Sequence, residues 1–72
     1  MKDLVDARGL SCPQPVLMTL EQIKKTSSNE VEIIVDNEVS RENVCRAVQS
    51  QGWNVSEILE EPEQYRIIIS KT

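Results

Sequence analysis

Apolar residues along the chain follow the two-residue period of a strand in some segments and the period of a helix in others. Four segments have strand character: residues 3–7, 30–36, 53–60 and 64–71. In residues 30–36 and 64–71, apolar side chains alternate and share one face of each predicted strand: Val31, Ile33 and Val35 in the first, and Tyr65, Ile67 and Ile69 in the second. We expect this set to contribute to the core.

The first helix is predicted from Pro13 to about Thr26. Apolar residues recur there at intervals of three and four; they are Val16, Leu17, Leu20 and Ile23. Proline is tolerated in a first helical turn, because the backbone N–H groups there have no intrahelical partner. The polar residues 26–29 end the helix.

The second helix has clearer signals at its ends. Ser40 is a candidate N-cap, and Val39 before it can pack on Val44 as a hydrophobic staple. The predicted buried stripe consists of Val44, Ala47 and Val48. Gly52 is the expected stop.

These elements follow the order β-α-β-α-β-β. Strand-helix-strand units favour parallel neighbours, whereas the last two strands, joined at residues 61–64, favour an antiparallel hairpin. The pattern predicts an α/β two-layer sandwich, with two helices on one face of a mixed four-stranded sheet. We expect residues 1–72 to form this single domain.

Such a sheet leaves one face without helices. Ile34, Ile68 and, less clearly, Ile58 are out of phase with the core-facing residues and are expected on that face. They are either tolerated surface aliphatics or a docking surface that supports weak self-association.

Charge and composition exclude several kinds of site. The net charge is −4, and Lys24 and Lys25 are the only adjacent cations, so direct nucleic-acid binding is not expected. The chain has no histidine to activate a thiol. Cys12 and Cys45 are separated by residues 13–44 and form no local metal-ligand pair. We predict no metal and no cofactor.

The sequence also bears on the compartment. No apolar run approaches the roughly 20 residues that span a bilayer, and residues 1–9 lack the apolar stretch of a signal peptide. We therefore predict a cytoplasmic protein that does not enter a membrane. Thiols stay reduced in that compartment, so a Cys12–Cys45 disulfide is not expected.

Cys12 lies where the first helix is predicted to begin. As an N-cap residue it would face the backbone amides and the positive end of the helix dipole, which favour the nucleophilic thiolate. The structural alternative is that Cys12 is only a small residue at the start of the helix, with no chemical role. Ser, Thr, Asp or Asn would cap better, so capping alone does not explain a cysteine.

The neighbours of Cys12 modify this picture. Pro13 and Pro15 make the chain rigid but remove two backbone N–H groups, which leaves the Gln14 amide as the main early donor. Arg8 is the nearest cation in sequence and is expected to add electrostatic help through the turn at Gly9. We therefore expect an exposed and moderately activated sulfur.

The same motif lacks the second thiol of a disulfide enzyme. In a Cys-x-x-Cys site the second cysteine resolves a mixed disulfide, and here Pro15 stands in its place. A sulfur adduct on Cys12 then has no neighbouring thiol in the motif to expel it. This arrangement favours a carrier that keeps its cargo until a partner's thiol arrives.

Other notable residues have mainly structural interpretations. Cys45 lies beside the predicted stripe of the second helix and is interpreted as a partly buried structural thiol, with a second redox thiol as the alternative. Trp53 and Tyr65 are expected to pack at the edge of the core rather than to stack on bases. Four acidic residues are interpreted as a solvated hairpin surface, with a docking site for a basic partner as the alternative; they are Glu57, Glu60, Glu61 and Glu63.

The stretch DARGLSCPQPVL, residues 6–17, resembles the signature of the TusA-like (SirA-like) sulfur-carrier family, in which Cys-Pro-x-Pro opens the first helix. The likeness covers the whole chain. The stretch DNEVSRENV, residues 36–44, is similar to the TusA-like domain of YedF-type proteins, which are associated with selenium metabolism.

The resemblance implies that Cys12 accepts a persulfide sulfur from a cysteine desulfurase or another persulfide donor and passes it to an acceptor protein. It also implies that Gly9, Pro13 and Pro15 shape the loop. Gln14 departs from the tRNA-thiolation members, which carry Glu at this position, and this change bears on partner choice. A carrier of this kind has a cysteine persulfide intermediate but is not a self-sufficient enzyme.

Two other function classes stay open beside the sulfur carrier. One is a non-catalytic interaction or regulatory module that presents the sheet face or the Cys12 loop to an enzyme. The other is a selenium-handling protein that uses the same cysteine. A labelled persulfide on Cys12 separates the carrier from the module, and a preference for a selenium donor identifies the third class.

Overall fold

A computed structural model describes residues 3–10, 14–27 and 29–71. The strands are β1 (Asp3–Asp6), β2 (Glu30–Val35), β3 (Trp53–Glu61) and β4 (Gln64–Lys71), and the helices are α1 (Gln14–Lys25) and α2 (Glu38–Ser50). The predicted β-α-β-α-β-β order is confirmed. None of the helices in these ranges is long and apolar enough to cross a membrane.

The four strands form one mixed sheet in the order β1-β2-β4-β3. β1 and β2 are parallel, while β4 is antiparallel to both of its neighbours. The closing hairpin therefore inserts β4 beside β2 and leaves β3 at the edge. α1 packs near β1 and β2, α2 packs on β3 and β4, and the helices contact each other, which makes the predicted two-layer sandwich.

The core lies between the sheet and the helices. Its members with no exposed surface are Val31, Ile33, Val35, Val44, Val48, Ile67 and Ile69. Tyr65 is half-buried and packs against this cluster, and Trp53 is buried at its edge. The predicted inward faces of β2 and β4 are thus confirmed, and on α2 Val44 and Val48 are buried as predicted while Ala47 is only partly buried.

α1 docks through part of the predicted apolar stripe, since Val16 and Ile23 pack against the core. Its buried residues are Pro15 and Thr19, whereas Leu17 is 51% exposed. Residues in a helix are about 100° apart, so Leu17 lies some 200° from Pro15 and points away from the sheet. The buried Thr19 hydroxyl donates to the Pro15 carbonyl at 2.8 Å, which offsets the cost of burying it.

α2 begins earlier than predicted, and Ser40 is not its N-cap. Asn37 has extended backbone angles, and its side-chain oxygen accepts from the Ser40 N–H at 2.8 Å. Ser40 is therefore the third residue of the helix, and Val39 lies in the first turn with 62% of its surface exposed. The predicted staple to Val44 is wrong for the same reason. The stop at Gly52 is confirmed, since its φ of 85° is the left-handed conformation typical after a helix.

A bulge in β3 moves Ile58 to the helix side of the sheet. Val55 pairs with Ile69 and Glu57 pairs with Ile68, so Ser56 is an extra residue on β3. The extra residue reverses the alternation beyond it. Ile58 then lies opposite Ile67 on the core side, and its predicted position on the open face is wrong.

The open face of the sheet is partly closed by its own side chains. Ile34 lies on this face, as predicted, but is only 6% exposed. Arg66, which pairs with Ile34 across the strands, bonds the Glu32 carboxylate and lies 3.4 Å from Glu61 Oε1. Ile68, also on this face, is half-buried. Self-association through this face stays a prediction.

Candidate functional site

The loop after β1 and the turn into α2 lie side by side at one edge of the sheet. This follows from the parallel pairing of β1 and β2, because the carboxyl ends of parallel neighbours meet at the same edge. The Ala7 N–H donates to the Ile34 carbonyl at 2.8 Å, which extends the pairing beyond Asp6. Two residues later the Gly9 N–H donates to Asp36 Oδ2 at 2.7 Å.

Gly9 adopts a conformation that favours glycine. Its φ is 77°, in the left-handed region, although a Cβ built on it would meet no atom within 4 Å. The constraint at Gly9 is therefore its backbone conformation and not a lack of space. A residue with a Cβ costs roughly 1–2 kcal/mol in this region.

Arg8 ties the end of β1 to the start of β4. Its Nε donates to Asp6 Oδ1 at 2.9 Å, its Nη2 donates to Asp6 Oδ2 at 2.8 Å, and its Nη1 donates to Gln64 Oε1 at 3.2 Å. Hydrogen bonds from the Arg8 side chain and backbone lower the pKa of Asp6 from 3.8 to about 2. The same pair raises the pKa of Arg8. The Asp6 carboxylate thus balances the charge of Arg8, and the electrostatic help that Arg8 is expected to give Cys12 stays a prediction.

Cys12 and Pro13 lie outside the described residues. On the far side of them, Gln14 is exposed at the start of α1 and Pro15 is fully buried. The first-turn N–H groups of α1 within the described residues belong to Gln14, Val16 and Leu17, because Pro15 has none. The predicted interaction of Cys12 with these amides stays a prediction.

Cys45 is a free thiol, half-buried on α2, in agreement with the predicted burial. It opens onto a groove of about 280 Å³ between α2 and β3, lined by Arg41, Glu42, Cys45, Arg46, Gln49 and Ile58. Burial raises the pKa of the Cys45 thiol, and the charge of Arg41 opposes this effect. Cys45 is therefore less often a thiolate near neutral pH than an unburied cysteine.

The aromatic residues have the structural positions that were predicted, whereas one of the four acidic residues, Glu61, is partly buried, since it accepts from Gln64 Nε2 at 2.6 Å and lies 3.4 Å from Arg66 Nε. Trp53 is buried, and the Tyr65 ring lies 5.1 Å from the guanidinium carbon of Arg41, a cation–π contact. Glu57 and Glu60 are exposed along β3. Among the described residues no group of three or more His, Cys, Asp or Glu side chains is arranged to hold a metal ion.

Residues 4–71 match the protein family described as sulfurtransferase TusA. The chain belongs to this TusA family. It is 30% identical over 69 residues to the "Putative sulfur carrier protein" of Archaeoglobus fulgidus, with 94% of each chain covered. A protein of that name from Methanocaldococcus jannaschii is 33% identical, with 99% of this chain and 95% of the relative covered.

The fold is also that of a solved SirA-like protein. The crystal structure of the SirA-like protein from Desulfitobacterium hafniense superposes with a TM-score of 0.82, at 26% identity, covering 97% of this chain and 96% of that one. These comparisons confirm the TusA-like (SirA-like) resemblance and support a sulfur-carrier role. The closer likeness to YedF-type proteins stays a prediction.

The sequence alone did not identify the residues outside the loop after β1 that form hydrogen bonds with it or support those bonds. The sequence pattern places Asp36 at the end of a strand and Gln64 in a turn, and it gives Asn37 no role. The parallel pairing of β1 and β2 was the available signal for Asp36, since it brings the residue after β2 beside the residues after β1. No local pattern indicates the contact between Arg8 and Gln64, which lie 56 residues apart.

Proposed function

We propose that this protein is a sulfur carrier that accepts a persulfide sulfur on Cys12 and passes it to a partner protein. Membership of the TusA family supports the carrier role. The observation that carries the assignment to Cys12 is the anchoring of the chain on both sides of it. Gly9 is bonded to Asp36, and Pro15 is buried in the domain. The described residues on either side of positions 11–13 are therefore anchored in the domain.

The proposed loading step is an exchange at sulfur. The Cys12 thiolate attacks the terminal sulfur of a donor persulfide, R–S–SH. A bond forms between Cys12 Sγ and that sulfur, the S–S bond of the donor breaks, and its electron pair leaves on the donor thiolate, R–S⁻. The persulfide proton stays with the transferred sulfur, so the reaction needs no external oxidant or reductant.

The release step repeats the same chemistry with the roles reversed. An acceptor thiolate attacks the terminal sulfur of the Cys12 persulfide, and Cys12 leaves as a thiolate. A premature release would require a second thiol close to Cys12, and Pro15 occupies the position that a resolving cysteine takes in a Cys-x-x-Cys motif. The adduct is therefore expected to persist until an acceptor protein binds.

The second thiol of the chain is less suited to this role. Burial raises the pKa of Cys45 and lowers its thiolate fraction, and the thiolate is the attacking form. We therefore assign sulfur transfer to Cys12 and a packing role to Cys45.

The partners that this chemistry requires are a persulfide donor, of which a cysteine desulfurase is the expected kind, and an acceptor protein with a reactive thiol. We place both in the cytoplasm, where such thiols stay reduced. Nucleic acid is not a direct partner in this proposal, since the chain has net charge −4.

Peptide mapping after loading tests the proposal. The protein is incubated with a cysteine desulfurase and cysteine, persulfides are alkylated, and the digest is analysed by mass spectrometry. We expect one added sulfur on the peptide that contains Cys12 and none on the peptide that contains Cys45. Sulfur on Cys45 alone, or on neither peptide, would contradict it. A parallel incubation with a selenium donor tests the selenium-handling alternative.

A further inference from the structure

The Asp36 carboxylate is exposed, yet both of its oxygens accept hydrogen bonds. Oδ2 accepts from the Gly9 backbone N–H at 2.7 Å, and Oδ1 accepts from Asn37 Nδ2 at 3.2 Å. The first bond joins residues 27 positions apart in sequence. A surface carboxylate that interacts only with solvent needs neither of these two hydrogen bonds.

The bond to Gly9 acts at a weak point of the chain. Glycine is the most conformationally free residue, and Gly9 lies in the left-handed region between Arg8, held by Asp6, and Leu10, which packs against the core. Without an acceptor for the Gly9 N–H, this turn keeps the bond from Ala7 to Ile34 but loses its contact with Asp36. Gly9 precedes Cys12 by three residues in the sequence.

The same carboxylate links the turn to the start of α2. Asn37 donates to Asp36 through its side-chain nitrogen, while its side-chain oxygen caps the helix at the Ser40 N–H. A chain of hydrogen bonds therefore runs from the Gly9 turn through Asp36 and Asn37 to the first turn of α2. Helix N-caps are rigid points, because they satisfy backbone groups that otherwise lack a partner.

We propose that Asp36 is a positioning residue for sulfur transfer, because its bond to the Gly9 N–H fixes the turn that precedes the Cys12 motif against the rigid start of α2. Asp36 is not assigned a contact with the sulfur itself. The consequence for sulfur transfer rests on the proposed function, whereas the effect on the Gly9 turn does not.

Two substitutions separate the hydrogen bond from the charge. Asp36→Asn and Asp36→Ala both remove the negative charge, but only Asn keeps an oxygen in reach of the Gly9 N–H. Both are made in a Cys45→Ser background, so that Cys12 is the only thiol. Glu57→Gln, on the far edge strand β3, controls for the loss of one carboxylate elsewhere. Circular dichroism confirms folding, which the exposure of Asp36 leads us to expect.

The first readout needs no sulfur donor. Hydrogen exchange of the Gly9 amide is expected to be about tenfold faster in Asp36→Ala than in Asp36→Asn. The Asn side chain still has an oxygen that can accept from the Gly9 N–H, whereas the Ala side chain has none. The pH profile of Cys12 alkylation is expected to differ between these two variants as well. A merely stabilising role for Asp36 would leave that profile unchanged in the folded protein.

The second readout is the initial rate of sulfur loading from a cysteine desulfurase. We expect the rate for Asp36→Ala to be about tenfold below that for Asp36→Asn, and the Glu57→Gln rate to match that of the Cys45→Ser parent. Equal loading rates for Ala and Asn, with the parent protein loading normally, would overturn the positioning role. Failure of the parent to load would instead overturn the proposed function, and the Gly9 exchange rates would still test the bond.

Discussion

The guanidinium of Arg8 binds both oxygens of the Asp6 carboxylate, and this contact makes stability depend on pH. The pKa of Asp6 is lowered from 3.8 to about 2 in the folded protein. A group with a lowered pKa in the folded state contributes stability above its unfolded pKa and loses it as the pH falls through the folded value. The contribution of Asp6 is therefore expected to be complete above about pH 4 and lost towards pH 2.

Urea denaturation of the wild type and Asp6→Asn at several pH values measures this effect. The wild type is expected to have the larger free energy of unfolding at neutral pH, and the difference should shrink between about pH 4 and pH 2. Because both side chains of the pair are about half exposed, the difference is expected to be small. A difference that is independent of pH would show that the ion pair does not shift the pKa of Asp6.

Cys45 gives a second prediction for a single residue. Since burial raises the pKa of its thiol, alkylation of Cys45 by iodoacetamide near pH 7 is expected to be several-fold slower in the native protein than in urea. Peptide mass spectrometry follows each cysteine separately. Equal native and denatured rates for Cys45 would show that it is not protected.

Single residues also show what the sequence could and could not predict. Alternation in β2 and β4 was enough to identify the buried Val31, Ile33 and Ile67, because each strand repeats its apolar residues at alternate positions on the face that the helices cover. The helical period in α1 was real, but it did not determine how the helix is rotated on the sheet. That rotation depends on docking, which buries Pro15 and Thr19 and exposes Leu17.

At the scale of elements, the start of α2 is set by Asn37. Asn37→Ala is expected to lower the free energy of unfolding by about 1 kcal/mol. Asn37→Asp keeps a side-chain acceptor for the Ser40 N–H and should therefore keep most of that stability. Val39→Ala is expected to change it by no more than about 0.5 kcal/mol, because Val39 is exposed. Chemical denaturation of the three variants measures these values. A larger loss from Val39→Ala than from Asn37→Ala would restore the hydrophobic staple.

Element boundaries were predicted to within a few residues, and the remaining errors have physical causes. Asn, Asp and Ser are almost equally good N-caps, so residues 36–40 offered three candidates with no local means of choosing. The sequence gives no clear signal for the β3 bulge. Val55 and Ile58 are both apolar, and residue type alone does not say which face of the strand each one occupies. Only pairing with β4 decides that Ile58 faces the helices.

At the scale of the whole molecule, the open face of the sheet can be tested without disturbing the core. Leu59 lies opposite Arg66 on this face and is 36% exposed, whereas Ile34 is 6% exposed. Leu59→Lys is therefore expected to leave stability almost unchanged and to weaken any self-association seen by sedimentation at high concentration. Identical sedimentation of the wild type and Leu59→Lys would argue against an interface there.

Ile34→Lys is the contrasting variant. Burying a lysine in place of a nearly covered isoleucine is expected to cost about 3 kcal/mol, as measured by urea denaturation. A change in association caused by this variant would therefore report damage to the fold. A cost below about 0.5 kcal/mol would show that Ile34 is accessible on the open face.

The relay itself is tested most directly by intact-mass spectrometry through one cycle of loading and release. The wild type, Cys12→Ser and Cys45→Ser are loaded by a cysteine desulfurase, separated from it, and then mixed with an acceptor thiol. We expect the wild type and Cys45→Ser to gain one sulfur atom, keep it until the acceptor is added, and then return to their original masses, while Cys12→Ser never gains it. A sulfur that loads equally on Cys12→Ser, or that never loads on the wild type, would contradict a sulfur carrier built on Cys12.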